Sequence, residues 1–209
     1  MLEDNCPAKQ KESLINAIGR IGGKASHEIL LSLVNELPGF EPHIIKILHR
    51  CHFKAGKNDQ SFIEGLVRNQ FLYAAAILHM QKKIVAQKEQ YQVLFGSLQL
   101  EMNEIRETLL FLFSFIYDRD KISKIKAAIE INKKETNANA IELVDMTVKK
   151  EFANPFNAAF EHGDLEHRCD LLKSLFPKDL FTNIDAIIAD ILTDKKIFYN
   201  AWTKSCSLY

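Results

Sequence analysis

The sequence predicts an all-α protein made of about ten helices in succession, and three observations carry that reading. Glycine and proline are scarce, eight and five among 209 residues, about half the usual share, which favours long helices over many tight turns. Apolar residues recur three and four positions apart along nearly the whole chain, the spacing of one helix face. No segment reads as a convincing strand.

In the first half, Leu14, Ile15, Ile18 and Ile21 form one stripe, stopped by Gly22-Gly23. Ser26 is the expected N-cap of a second helix whose face is Ile29, Leu30, Leu33, Val34 and Leu37; Pro38-Gly39 ends it. A short helix from about Glu41 to His52 carries Ile44, Ile45, Ile47, Leu48 and Cys51. The polar stretch Lys54 to Asp59 is the clearest loop and a possible subdivision point near 54–60. A long helical pattern then runs from about Ser61 to near Gln90, with Phe62, Leu66, Phe71, Ala74, Ala75, Leu78 and Ile84 inward. Another runs from about Tyr91 to Tyr117, with a kink expected near Gly96; its last third is almost wholly apolar and must be buried on most sides.

In the second half, Asp118 or Asp120 is placed to cap a helix reaching about Ile131, and Asn132 to Asn139 reads as a loop before a helix from Ala140 to Lys150. Asn154-Pro155 is expected to start a short helix, because proline suits the first turn. His162-Gly163-Asp164 breaks the chain, and Leu165 to Phe176 follows with Leu171, Leu172 and Leu175 inward until Pro177. Asn183 to Leu192 forms another helix, and Thr193-Asp194 caps a last one from Lys195 onward. Successive helices without strands fit either a bundle or an α-solenoid.

Composition bounds the classes of function. Apolar residues make up 47% and charged residues 26%, enough for a sizeable core. The balance of 27 basic against 27 acidic residues argues against a dedicated nucleic-acid binder, which carries a basic excess. The longest apolar run, Leu109 to Tyr117, is about half of the roughly 20 residues that a membrane span needs. The polar opening MLEDNCPAKQKES lacks the apolar core of a signal peptide. Cys6, Cys51, Cys169 and Cys206 lie far apart, which suits reduced thiols in a cytosol-like compartment.

The pair of stripes from Glu12 to Leu37, joined by a glycine turn, resembles one HEAT repeat, a hairpin that must be stacked between neighbours. Leu110 to Tyr117, Ile122 and Ile129, the segment Asn137-Ala-Asn-Ala-Ile-Glu-Leu-Val-Asp145, and Pro155 to Glu161 resemble a particular group. These are the HEAT-repeat regions that follow transporter-like membrane domains in some large bacterial proteins related to ATP/ADP translocases. The segment from Asn200 to Tyr209 is similar to the opening helix of a further repeat. The resemblance implies an α-solenoid, or superhelix, of HEAT-like hairpins with an armadillo-like fold and a scaffold role, and it brings no catalytic or nucleotide-binding residues.

Candidates for chemistry stand beside plainer readings. His49, Cys51 and His52, with His43 nearby, form the most metal-like cluster, yet on a helix Cys51 points away from the two histidines, whereas zinc wants three or four converging ligands. His162, His167 and Cys169 form a looser group. No GxxxxGK[ST] or GxGxxG loop occurs, and no nucleophile, base and acid stand in a recognisable pattern. The pairs Glu101/Glu104 and Asp185/Asp190 read as solvated helix faces. No catalytic residue, metal or cofactor is therefore expected. Charge is uneven: Lys54 to Lys88 and Arg119 to Lys134 each hold six basic and two acidic residues, while Glu161 to Asp194 holds three against eight. Such sectors can steer a partner or an anionic membrane surface, beside the plainer reading of a solvated exterior.

The expected function is a non-catalytic scaffold or protein-interaction module, one HEAT-like domain over 1–209 in the cytosolic part of a larger membrane-associated protein. The competing class is a HEAT-like DNA glycosylase. The chain is also expected to be a piece of a longer solenoid. Phe198, Ala201, Trp202, Cys206 and Tyr209 would then form a buried stripe whose partly exposed outer side favours weak self-association.

Overall fold

A computed structural model describes residues 7–131, 134–161, 163–173, 181–194 and 199–208. Among the described residues there are eleven α-helices and no strand. They are α1 (Ala8–Ile21), α2 (Gly23–Glu36), α3 (Glu41–Arg50), α4 (Gln60–Ile84), α5 (Gln92–Ile116) and α6 (Arg119–Glu130). Then follow α7 (Lys134–Thr147), α8 (Lys150–Phe160), α9 (Leu165–Leu171), α10 (Ile184–Thr193) and α11 (Ala201–Cys206). No helix among these residues is long and apolar enough to cross a membrane.

The two 25-residue helices α4 and α5 form the spine. They run antiparallel: Ala55 N–H, just before α4, donates to Phe115 O near the end of α5 over 3.0 Å. Their length follows from the absence of proline in either helix and from continuous apolar demand. α4 turns Ile63, Leu66, Val67, Phe71, Ala74, Ala75 and Leu78 inward, and α5 is buried at every position from Thr108 to Phe115. Each of these large side chains gains about 1.5–3 kcal/mol from leaving water.

Other helices dress the spine. α1, α2 and α3 pack on one another, and α3 lies on α5. α5 also receives α6 and α11, while α4 receives α8, α9 and α10. Repeats of an open solenoid touch only their neighbours. Here α9 and α10 return to α4, and α11 returns to α5, so the helices after α5 close around the central hairpin.

Several local expectations are corrected. α2 begins straight after Gly22, so Ser26 sits buried inside it rather than capping it. Gly22 (φ 66) and Gly23 (φ 81) adopt left-handed backbone that side chains resist, which is what makes this hairpin so tight. The loop expected over 132–139 is already helical from Lys134, and residues 132 and 133 lie outside the described residues. α8 starts at Lys150, leaving Pro155 inside it. Burying Phe152 and Ala153 on the same face as Phe156 and Ala159 outweighs the one backbone bond a proline removes. In α1 only Ile15 of the expected stripe is buried, and Ile21 is 80% exposed. In α9, Leu171 faces out while Cys169 and, just past the helix, Leu172 face in; Leu175 and Pro177 lie outside the described residues. The last stripe is also turned: Trp202 is 59% exposed, and Thr203 and Cys206 are the buried side of α11. Phe198 and Tyr209 lie outside the described residues.

Candidate functional site

Phe95, Gln99, Met102 and Arg106 succeed one another at helical spacing along one face of α5, and that face floors a groove of about 620 Å³. Ile129 and Glu130 of α6 form one wall; Phe160 at the end of α8 and Leu165 of α9 form the other. Gln81 from α4 closes one side. A second hollow of about 360 Å³ continues past Lys126 and Glu107, and a small pocket of about 50 Å³ reaches in toward Ala140, Phe156 and Asn157. Arg106 and Ile129 line all three.

The electrostatics of the groove are mixed. Arg106 donates to Asn103 Oδ1 over 3.1 Å; burial lowers the guanidinium pKa and nearby Glu130 opposes that. Arg168 is committed elsewhere, donating to the carbonyls of Ala158 and Ala159 at the end of α8. Lys126 binds Glu107 at 2.6 Å and stands over the Phe111 ring at 4.7 Å. Asn157 donates to Asp145 over 2.9 Å, but its Oδ1 is buried with no hydrogen-bond partner among the described residues. The lining is thus mixed: Phe95, Met102, Ile129 and Phe160 are apolar, and the Arg106 guanidinium and the amides of Gln81, Gln99, Asn103 and Asn157 stand among them.

The residues singled out in the sequence go to structural duties. Ser114 gives its proton to Phe111 O over 2.6 Å, so His49 Nδ1, 2.9 Å from Ser114 Oγ, is the donor of that pair. The imidazole stacks on Phe111 with centroids 4.4 Å apart, and Arg119 donates to His49 O over 2.7 Å. Burial, with the cations Arg119 and Lys126 and with His52, lowers its pKa to about 4, against a smaller opposing effect of Glu107. Cys51 donates to Gly19 O over 3.0 Å, and His52 is exposed in left-handed backbone with φ 55. These three side chains diverge. Cys169 is buried, which pushes its thiol pKa up; His167 is exposed and His162 lies outside the described residues. Among the described residues no three His, Cys, Asp or Glu groups converge as a metal site.

One constellation escapes the sequence reading. Glu101, expected on a solvated face, is only 3% exposed and accepts from Asn200 N–H at 3.0 Å and Thr203 Oγ1 at 2.6 Å. Burial raises its pKa, with hydrogen bonds from Thr203 and Asn200 pulling the other way. Asp190 likewise accepts from the Tyr199 hydroxyl at 3.1 Å, and burial and Asp190 raise that hydroxyl's pKa. Asp194 accepts from Tyr199 N–H at 2.9 Å and pairs with Lys204 at 3.5 Å. The only sequence signal was Glu101 itself, standing on one stripe with Ile105 and Leu109.

Compared with family models, with curated proteins and with solved structures, the chain finds no significant match in any of the three.

Proposed function

We propose that this chain is a non-catalytic helical interaction module that takes a peptide segment of a protein partner, or of a neighbouring domain, in the groove at Arg106. The lining of that groove carries the reading. Amides from Gln81, Gln99, Asn103 and Asn157 offer donors and acceptors to a peptide backbone, and Met102 on the floor with Ile129 and Phe160 on the walls offers contacts for apolar side chains. The side chains with catalytic potential are meanwhile engaged in the fold: His49 with Ser114, Cys51 with the Gly19 carbonyl, and Glu101 with the start of α11.

The finer reading is a HEAT-class array in the cytosolic part of a larger membrane-associated bacterial protein. Its support is the tight α1–α2 hairpin packed on α3, together with the sequence likeness of the segment at 137–145. Transmembrane segments in the same reading frame would support that placement, and a frame without them would count against it.

Selection of a displayed peptide library on the protein tests the groove. Peptides with apolar anchors should be enriched and should lose binding to Ile129→Arg. Peptides that bind this variant equally well would place the binding face elsewhere. Tight, steeply salt-dependent binding of duplex DNA with release of a base would instead favour the glycosylase class.

A further inference from the structure

We propose that the end of the molecule where the α1–α2, α3–α4 and α5–α6 connections meet docks on an anionic phospholipid surface, with Ile21 as an apolar contact among cations. This goes beyond the groove and stands without it.

Short contacts tie the three connections together. Cys51 donates to Gly19 O, and His27 meets Phe53 edge-on at 5.4 Å. Phe53 in turn meets Phe115 at 5.1 Å. Lys54 donates to Tyr117 O, and Arg119 to His49 O. Segments far apart in sequence thereby become one surface, where the first residues of the two basic sectors meet, Lys54 and Lys57 from one and Arg119 and Lys121 from the other. Over 20–24, 49–59 and 116–121 that surface holds seven Lys and Arg residues against three Asp. Two of those carboxylates face local backbone: Asp59 accepts from Gly56 N–H and Asp118 from Lys121 N–H. Among the described residues, Arg20, Arg50, Lys54, Lys57 and Lys121 are exposed and not held in ion pairs, Lys24 stands 3.8 Å from Glu28, and the Arg119 guanidinium turns inward onto His49 O. On the α8 side the border is a balanced ring of Glu64, Arg68, Lys149 and Glu151.

The acidic segments sit elsewhere. Lys82, near the far end of α4, binds Glu166 of α9 at 2.9 Å, and Met80 meets Tyr199 at 3.6 Å. At a rise of about 1.5 Å per residue, that end of α4 is roughly 30 Å from the basic end. A chain of zero net charge thus presents one strongly positive tip.

Ile21 decides what the tip fits. It is the most exposed large hydrophobic residue described, at 80%, and lies between Arg20 and the rigid Gly22-Gly23 turn with Lys24 beyond. An isoleucine surrounded by cations gains nothing from a phosphodiester backbone but gains from the acyl boundary of a lipid headgroup layer. The aromatic Phe53 is buried under the tip, so it offers no platform for stacking bases.

The test is flotation of the full chain with phosphatidylcholine vesicles, with and without phosphatidylserine, at low and high salt. Binding should require phosphatidylserine and weaken with salt. Each lost cation should cost about fivefold in affinity, so Arg50→Gln/Lys57→Gln/Lys121→Gln should bind about a hundredfold more weakly. Ile21→Ser should weaken binding further at every salt concentration. Ile21→Trp, made in a Trp202→Phe background, should shift its emission to the blue on vesicles. All these positions are exposed, so circular dichroism should show retained helix. Ile129→Arg should leave vesicle binding intact, which separates the tip from the groove. Absence of vesicle binding, equal binding to neutral vesicles, an unaffected triple variant, or a preference for duplex DNA would each overturn the proposal.

Discussion

Thr203 Oγ1 lies 2.6 Å from the carboxylate of Glu101, across 102 residues of sequence. Glu101 Oε1, which accepts that bond, also takes the Asn200 N–H at 3.0 Å, while Asn200 Oδ1 caps the helix by accepting from Thr203 N–H at 2.8 Å. A six-residue helix has no stability of its own in water. What fixes α11 is a buried acid on the spine reading the start of that helix. This bond also explains the rotation of α11, because Thr203 rather than Trp202 must face α5.

Removing the hydroxyl should therefore cost more than its size suggests. Thr203→Val keeps the shape but leaves a buried carboxylate short of a donor, an expected loss of about 1–3 kcal/mol. Urea unfolding should show it, and Glu101→Gln/Thr203→Val should fall short of the sum of the single effects. Strict additivity would mean that the two side chains do not depend on each other.

The same acid gives stability a pH dependence of known sign. Burial raises the pKa of Glu101 above its ordinary 4.5, against its hydrogen bonds and in the company of Glu104 and Asp194. The folded chain then holds this proton more tightly than the unfolded chain. Its contribution is complete below 4.5 and is lost as pH rises through the raised value. Glu101→Gln, which cannot titrate, should gain stability relative to the parent as pH rises from 4.5 to neutrality. Paired urea titrations measure that difference, and carboxylates with lowered pKa values such as Glu64 and Glu107 cancel from it. A difference that is flat with pH would contradict the shift.

How far the sequence could be read follows from what each signal depends on. The helical character and most inward faces were legible, since Ile44, Ile45, Ile47 and Leu48, or Leu66, Phe71, Ala74, Ala75 and Leu78, are buried as their spacing requires. Faces at the margin were not: Leu14 and Ile29 share stripes with buried neighbours yet remain exposed, because periodicity marks a face without saying how wide its cover is. The α5 face from Phe95 to Arg106 has a visible period, but its groove exists only because α6, α8 and α9 flank it. Glu101 misled for a related reason. A carboxylate three residues from another looks solvated until a distant backbone N–H arrives to meet it.

Close packing of α1 on α3 gives a third prediction. Gly19 has no Cβ, and one placed there would lie 2.3 Å from Ile47 Cγ2, a branch close to the backbone that has little freedom to move. Alanine is the better helix former by about 1 kcal/mol, but the overlap should outweigh it, for a net loss of about 1–3 kcal/mol. Ile47→Leu removes the offending branch and should recover part of the loss in the double variant. A stabilising Gly19→Ala in chemical denaturation would show that α1 can simply shift away.

His49 supplies the last. Its imidazole is held between Phe111, Ser114 and Arg119, and its pKa falls from 6.5 to about 4. Burial is the largest cause, followed by the charges of Arg119, Lys126 and His52, with Glu107 opposing. Between those two values the unfolded chain takes up a proton that the folded chain refuses. Stability from this site is thus complete above 6.5 and is lost as pH falls toward 4. A proton NMR titration should keep the His49 ring neutral well below 6.5. His49→Phe preserves stacking on Phe111 but cannot titrate, so its stability should vary less over that interval than the parent's. A His49 ring that titrates near 6.5 would mean that Arg119 and the Phe111 face do not enclose it in solution.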